Sequence, residues 1–322
     1  MPLDEYPAPV ALARVVRGGL TESVHLGHVV VVGPDGTPQL SLGAPDEQMF
    51  ARSALKPVQA VAMVRSGLSL SDPLLALVCA SHNGEPRHLE GTRLILDGAG
   101  LQVADLQNTP DLPYGAAAQR EWLADGHGRE AIAQNCSGKH AGMLATCVTS
   151  GWPTETYLEP DHPLQTRVRS TVVELTGDDP AVQTIDGCGA PLFSCTLTGL
   201  ARAFSRLASA SDEVGRVGAA MAAHPEMVAG ADRDVTTLMS GLDGVVAKDG
   251  AEGVYTVGLP DGRGIALKIA DGSPRACPVV IAALLRHLGL DAAVLDEVGQ
   301  VPVLGHGRPV GQIELAVPGW SR

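Results

Sequence analysis

Ser53 and Lys56 stand in a Ser-x-x-Lys spacing within Arg52-Ser53-Ala54-Leu55-Lys56. On a helix, residues three apart share a face, so a hydroxyl and an amine at this spacing can meet. A serine hydroxyl is a poor nucleophile at its own pKa and needs a neighbouring base. Lysine serves as that base when burial or nearby cations lower its pKa. Of 23 cationic side chains only four are lysines: Lys56, Lys139, Lys248 and Lys268. Arginine keeps its proton in a protein, whereas lysine can release it, so these four positions are where proton transfer is sought first. Lys248 lies in the polar stretch Ala247-Lys248-Asp249-Gly250 and reads as a surface turn; the other three lie in segments that look like site loops.

Three further sets of residues carry chemical potential. Ser81-His82-Asn83 is a Ser-x-Asn triplet at an expected helix end, and Lys268 lies on an expected strand just before Asp271-Gly272. Of the six cysteines, Cys79, Cys147, Cys195 and Cys277 sit in or beside apolar runs and read as small core residues. Cys136 and Cys188 lie in Gly-containing polar loops, where a thiol can ligate a metal or react. Softer candidates surround these. Arg52 could meet a substrate carboxylate, Asp186 could order a bound water or grip an amino group, and Asn83 could donate to a substrate or cap its own loop. His82 and His140 adjoin the motifs, as hydrogen-bonded structural residues or, for His140, as a substrate contact.

The elements that must position these groups follow from patterning. With 322 residues, 45% hydrophobic and 18% charged, the chain has ample material for a sizeable core. A net charge of −13 argues against nucleic acid or an anionic membrane as the main partner. No apolar run reaches bilayer-spanning length, and Met1-Pro2-Leu3-Asp4-Glu5 has neither the basic region nor the apolar core of a signal peptide, so a cytoplasmic protein is expected.

Val-, Leu- and Ala-rich runs at 10–17 and 24–32, closed by Gly-containing turns, predict strands, with a shorter one near 39–42. From Ser53 to about Ala210 the pattern is mainly helical, interrupted by the loops 106–116 and 134–140 and by the tight turn at 186–191. Helices continue at 212–223 and 232–241. Strands return at 253–258, 264–269 and 309–317, with a helix at 277–288. The expected fold is α+β, a single catalytic unit over 1–322. A mostly antiparallel sheet comes from about 1–52 and 243–322, and a helical lobe from about 53–240. The site would lie in the crevice between sheet and lobe.

Ser-x-x-Lys, Ser-x-Asn and a strand lysine in that order resemble the penicillin-binding proteins and class A β-lactamases. In that chemistry one serine attacks a carbonyl, one lysine takes its proton, and the second serine with the second lysine relays it to the leaving amine. Backbone N–H groups at the start of the nucleophile's helix could hold the oxyanion. The chain departs from the pattern: Ser81 follows Ser53 by only 28 residues, and Lys268-Ile269-Ala270 is not Lys-Ser/Thr-Gly. An amide hydrolase on a related scaffold fits better than a transpeptidase.

Four wider motifs sharpen the resemblance. Arg52-Ser53-Ala54-Leu55-Lys56-Pro57, Ser81-His82-Asn83-Gly84-Glu85, Asn135-Cys136-Ser137-Gly138-Lys139-His140 and Asp186-Gly187-Cys188-Gly189-Ala190-Pro191 together resemble the rhizobial-type (class 3) L-asparaginases, the asparaginase II sequence family. That resemblance implies a serine β-lactamase/glutaminase-like fold and hydrolysis of L-asparagine to L-aspartate and ammonia. It also implies two Ser–Lys pairs, matching Ser53 with Lys56 and Ser81 with Lys268. Ser53 is read as nucleophile and Lys56 as its base, with Ser81 the alternative nucleophile. A zinc ion on Cys136, Lys139 and Cys188, completed by water, and a homodimer are likewise implied. Thiolates favour zinc over hard cations, and a lysine ligand must be neutral. A glutaminase or other small-amide hydrolase is the alternative enzyme. A non-catalytic amino-acid-binding or zinc-stabilised protein is the alternative without chemistry.

Overall fold

Val10–Arg17 (β1) and Leu20–Val32 (β2) pair as an antiparallel hairpin. It turns at Gly18 and Gly19, whose φ angles of 56° and 85° suit residues without a Cβ. Pro38–Leu42 (β3) folds back onto β2. Met49–Phe50 (β4) then leads into the 3-10 turn Arg52–Leu55 and the helix Lys56–Arg65 (α1). This is a computed structural model, and it describes residues 8–320. Met1–Glu5, on which the expectation about a signal peptide rests, lies outside the described residues.

The helical stretch continues through Asp72–Val78 (α2), Pro86–Gly98 (α3), Ala116–Ala124 (α4), Ser137–Ser150 (α5) and Pro163–Thr176 (α6). Gln183–Ile185 (β5) and Pro191–Cys195 (β6) follow. Next come Leu197–Ser209 (α7), Glu213–Ala223 (α8), Pro225–Val228 (α9) and Asp234–Gly241 (α10). The chain closes with Val246–Gly250 (β7), Val254–Gly258 (β8), Gly264–Ile269 (β9), Cys277–His287 (α11), Val294–Gly299 (α12), Pro302–Gly305 (β10) and Arg308–Leu315 (β11). No helix among the described residues is long and apolar enough to cross a membrane.

The main sheet is antiparallel, ordered β10-β11-β1-β2-β9-β8-β7, with β3 beside β2. Its centre is where the two ends of the chain meet: β2 pairs β9 in the register His28↔Lys268 and Val30↔Ala266. Helix α7 crosses β2, β8 and β9 at very short range. Cβ atoms built on Gly258 and Gly264 would lie 2.1 Å from the Phe204 carbonyl oxygen and 1.9 Å from that of Ala201, so only glycine admits this approach. Helix α11 packs against β1, β9 and β11.

Two departures from the sequence expectation bear on the site. A small sheet, β4-β6-β5, takes β5 and β6 from the stretch expected to be helical; Phe50 pairs Ser194 and Gln183 pairs Phe193. Strands of two to five residues are too short for a period-2 pattern to register. This sheet joins the chain just before Ser53 to the loop that carries Cys188. The second departure is β7. The polar stretch around Lys248 is a strand rather than a turn, and Lys248 is fully buried (0% exposed). Only Val246 and Ala247 are apolar in β7, so the alternation that betrays a strand is missing. As the last strand of the sheet, β7 lies against the Arg52–Leu55 turn; a Cβ on Gly250 would lie 2.6 Å from the Ala51 carbonyl oxygen.

The close approach of α7 is testable. Gly264→Ala should lower unfolding stability by about 1–3 kcal/mol, because backbone must move to admit the methyl. Gly98→Ala, with open space around its Cβ, should stay within about 1 kcal/mol of the parent. Urea unfolding of the three proteins reads the difference, and equal midpoints would refute the packing argument.

Candidate active site

Arg52 has φ of 51°, a conformation that a residue with a Cβ adopts reluctantly. It turns the chain sharply out of β4, and Ser53 follows on the 3-10 turn, half-buried, at the wall of a cavity of about 450 Å³. Pro57 sits in the first turn of α1, where its missing N–H leaves no acceptor unserved. From Lys56 to Val64 every residue of α1 is buried, so Lys56 enters the interior with the helix rather than reaching solvent.

The Lys56 ammonium donates to the Ala80 carbonyl (2.6 Å) and to Ser81 Oγ (3.0 Å). Ser81 lies on an extended segment between α2 and α3, fixed by backbone bonds from Ser81 to Val228, His82 to Asn135 and Asn83 to Ala229. Lys248 reaches the same hydroxyl from the sheet side: its Nζ lies 3.0 Å from Ser81 Oγ, 2.6 Å from Asp249 Oδ1 and 2.8 Å from the Asp249 carbonyl. One serine hydroxyl is therefore shared by two buried lysines. The Ser53 hydroxyl forms no hydrogen bond among the described residues.

Asp249 anchors Lys248 on one oxygen. Its second oxygen accepts from Arg233, which also donates to the Ser81 carbonyl and Asn83 Oδ1 (3.4 Å each) and lies over the Tyr114 ring at 4.9 Å. Burial pushes the Lys248 pKa down to about 8, with Asp249 opposing and Lys56 reinforcing. For Asp249 burial acts upward, but Lys248 and Arg233 outweigh it and hold the carboxyl well below its usual range. Ser53, Ser81, Tyr114, Asn135, Arg233 and Arg275 are among the residues that line the cavity.

Lys268 does not belong to this arrangement, contrary to the sequence assignment. Its ammonium donates to the carbonyls of Ile269 (3.0 Å) and Glu252, and Lys248 stands at Ser81 in its place. The reason is topological: β9 is an interior strand between β2 and β8, whereas β7 is the edge facing the Ser53 turn. A signal for this existed in the sequence. Lys248-Asp249-Gly250 has the lysine-x-glycine spacing of the Lys-Ser/Thr-Gly strand motif, which Lys268-Ile269-Ala270 lacks. Arg233, Asp249, Tyr114 and Arg275 carried no motif and were not legible.

The other candidates form a second cluster. Cys136 caps α5, and Lys139 and His140 lie in its first turn rather than in a loop. Lys139 Nζ lies 3.2 Å from Cys188 Sγ, and Cys136 and Cys188 pack together, both buried. A hydrogen bond from Cys136 and the neighbouring Lys139 cation lower the Cys188 thiol pKa, while that of Cys136 is raised. His140 donates or accepts at Nδ1 with Tyr157 Oη (2.8 Å); its Nε2 is buried without a hydrogen-bond partner among the described residues. Burial, with Lys139 beside it, pushes the His140 pKa down to about 4, so the ring is neutral. Among the described residues no group of three or more His, Cys, Asp or Glu side chains is arranged to hold a metal. The donor set here is two sulfurs and an amine, a chemistry that suits zinc with Lys139 neutral.

Arg52 and Asp186 meet each other rather than standing free: Arg52 Nε donates to Asp186 Oδ1 at 2.7 Å. The pair ties the Ser53 turn to the Cys188 loop. Asn83 donates to Asp232 (2.6 Å) and Glu85 (3.2 Å), capping its own segment. His82 accepts the Gly84 N–H at Nδ1 and so donates from Nε2 to Ser137 Oγ (2.9 Å), a structural role.

A structure of Mglu in its native form aligns over 82% of this chain at 14% identity, with a TM-score of 0.46. The alignment takes in 64% of Mglu, so the chain spans less than two-thirds of that protein's length. A Bacillus glutaminase matches over 82% of this chain and 91% of its own (14% identity, TM-score 0.40). A β-lactamase from Mycobacterium bovis matches over 82% and 95% (14% identity, TM-score 0.39). No curated protein matches the sequence. The family model for L-asparaginase II matches residues 13–315, nearly the whole chain. The chain therefore belongs to the L-asparaginase II family, a family of amidohydrolases.

Proposed function

We propose that this protein hydrolyses the side-chain amide of L-asparagine to L-aspartate and ammonia through an acyl-enzyme on Ser53. The observation that carries the reading is the Lys56–Ser81–Lys248 chain of hydrogen bonds beneath a cavity that Ser53 lines. Two ammonium groups sharing one hydroxyl repel each other, which favours one neutral and one charged lysine. Lys56 acts as the base that takes the Ser53 proton as Oγ attacks the amide carbon. The proton passes through Ser81, with Lys248 as the cationic partner, to the amide nitrogen, and the C–N bond breaks to release ammonia. Water then attacks the ester carbonyl, gives a proton back along the same chain to Ser53 Oγ, and leaves L-aspartate.

The same proposal includes a zinc ion held by Cys136, Lys139 and Cys188, a cytoplasmic setting and a homodimer. When bound, zinc would supply positive charge beside the pocket. Arg52 and Asp186 would transmit the position of the Cys188 loop to the Ser53 turn. A pocket that takes the one-methylene-longer glutamine is the competing reading.

Ammonia release from L-asparagine and L-glutamine decides between them. Asparagine should turn over faster, and Ser53→Ala and Lys248→Met should each lose about a hundredfold or more in kcat. Lys268→Met should stay within about threefold of the parent, since it lies outside the proton chain. Activity surviving in Ser53→Ala would move the nucleophile to Ser81; release from neither amide would return the chain to a binding role.

The pH profile tests the acid. Because Lys248 must be charged to donate, kcat/KM should fall above about pH 8. Asp249 raises the Lys248 pKa, so Asp249→Asn should move this alkaline limb to lower pH. A limb unmoved by that change would remove Lys248 from the mechanism. For the metal, elemental analysis should find one zinc per chain in the parent and in Ser53→Ala, and loss of it in Cys136→Ala and Cys188→Ala; zinc retained in both cysteine variants would place it elsewhere.

A further inference from the structure

His25, on β2 and 2% exposed, belongs to neither cluster described above. Its Nδ1 lies 2.8 Å from Asp271 Oδ2, and Arg275 Nε donates to its Nε2 at 2.9 Å. Arginine has no acceptor, so Nε2 must be the acceptor and Nδ1 must carry the proton that goes to Asp271. The neutral tautomer is thereby fixed. Asp271 is itself steadied by the Ser273 N–H at 2.8 Å, and Arg275 Nη2 donates to Ser23 Oγ at 3.3 Å. An exposed arginine is usually free to rotate; this one is gripped on its Nε edge by a buried histidine. Its Nη1 amino group makes no hydrogen bond among the described residues, and Arg275 lines the same cavity as Ser53 and Ser81.

The remaining cations near the cavity are engaged. Arg233 is bound to Asp249 and to the Ser81 and Asn83 oxygens, Lys56 and Lys248 hold Ser81, and Arg52, paired through Nε with Asp186, is not among the residues that line the cavity. A guanidinium with open donors and a fixed direction is suited to a carboxylate. We propose that Arg275, oriented by His25, Asp271 and Ser23, binds the carboxylate of the substrate whose amide lies at Ser53. The substrate class is then an amide that also bears a carboxylate, as an amino-acid amide does, and Arg275 rather than Arg52 reads that group. The inference rests on the amidohydrolase reading of the cavity. His25 is a positioning residue, without contact to substrate.

The test compares L-asparagine with 3-aminopropanamide, which keeps the amide and the ammonium but lacks the carboxylate. The parent should prefer asparagine in kcat/KM, and Arg275→Ala should reduce that preference by about ten- to hundredfold, chiefly through the asparagine KM. His25→Gln should reduce it in the same direction by less, with kcat for asparagine little changed. A purely structural role would lower both substrates together and leave the preference intact, which would overturn the proposal. If the parent hydrolyses neither amide, the amidohydrolase reading falls separately. Calorimetric binding of L-asparagine then decides: loss of affinity in Arg275→Ala upholds the carboxylate site, and unchanged affinity removes it.

Discussion

Two lysine side chains meeting at one buried hydroxyl is the constraint on which the rest of this structure turns. Removing an ammonium group from water is costly unless hydrogen bonds and an opposite charge replace the lost hydration. Here the replacements are specific: the Ala80 and Asp249 carbonyls, Ser81 Oγ and the Asp249 carboxylate, which is shared with Arg233. Asp249 alone serves two cations, so the cluster of Lys56, Lys248, Arg233 and Asp249 keeps a net positive charge if both lysines are protonated. Burial is the larger cause of the Lys248 pKa standing near 8, and the neighbouring Lys56 cation reinforces it against the pull of Asp249.

The fold meets this constraint from two directions. Helix α1 is buried throughout its length apart from its last residue, so it can carry Lys56 inward only if apolar residues surround it, as Val58, Val61, Ala62 and Met63 do. Strand β7 supplies Lys248 from the sheet edge, and Gly250 lets that edge close against the backbone around Ser53. The left-handed backbone at Arg52 then sets the direction in which Ser53 leaves β4. Sheet and lobe are thus joined at the place where their lysines share the Ser81 hydroxyl.

A second connection runs through the small sheet. β4 precedes Ser53 and β6 follows Cys188, and the two strands pair; the Arg52–Asp186 ion pair reinforces the link. Whatever binds or modifies the Cys136–Lys139–Cys188 cluster therefore acts on the loop that holds Asp186, and through it on the turn that holds Ser53. The Arg275–His25 pair at the cavity is anchored on β2 and on the turn after β9.

The α+β class and the antiparallel sheet drawn from both ends of the chain could be anticipated from residue types and Gly-punctuated patterning, whereas the grouping of Cys188 with Lys139 came only from the family resemblance. Ser53, Lys56 and Ser81 were legible because their chemistry is written into short local spacings. Lys248 and Lys268 were separated locally only by the lysine-x-glycine spacing at Lys248-Asp249-Gly250, which does not by itself reveal a strand. Both are single lysines late in the chain, and which one meets Ser81 depends on strand order, since β9 is enclosed by β2 and β8 while β7 is left at the edge. Arg233, Asp249 and Arg275 were invisible for a related reason: each matters through a partner distant in sequence, and no local pattern records that. Residue chemistry and periodicity are properties of the chain, and the sequence alone determined them. The choice of which cation stands beside which hydroxyl is a property of long-range pairing, and only the tertiary structure decided it.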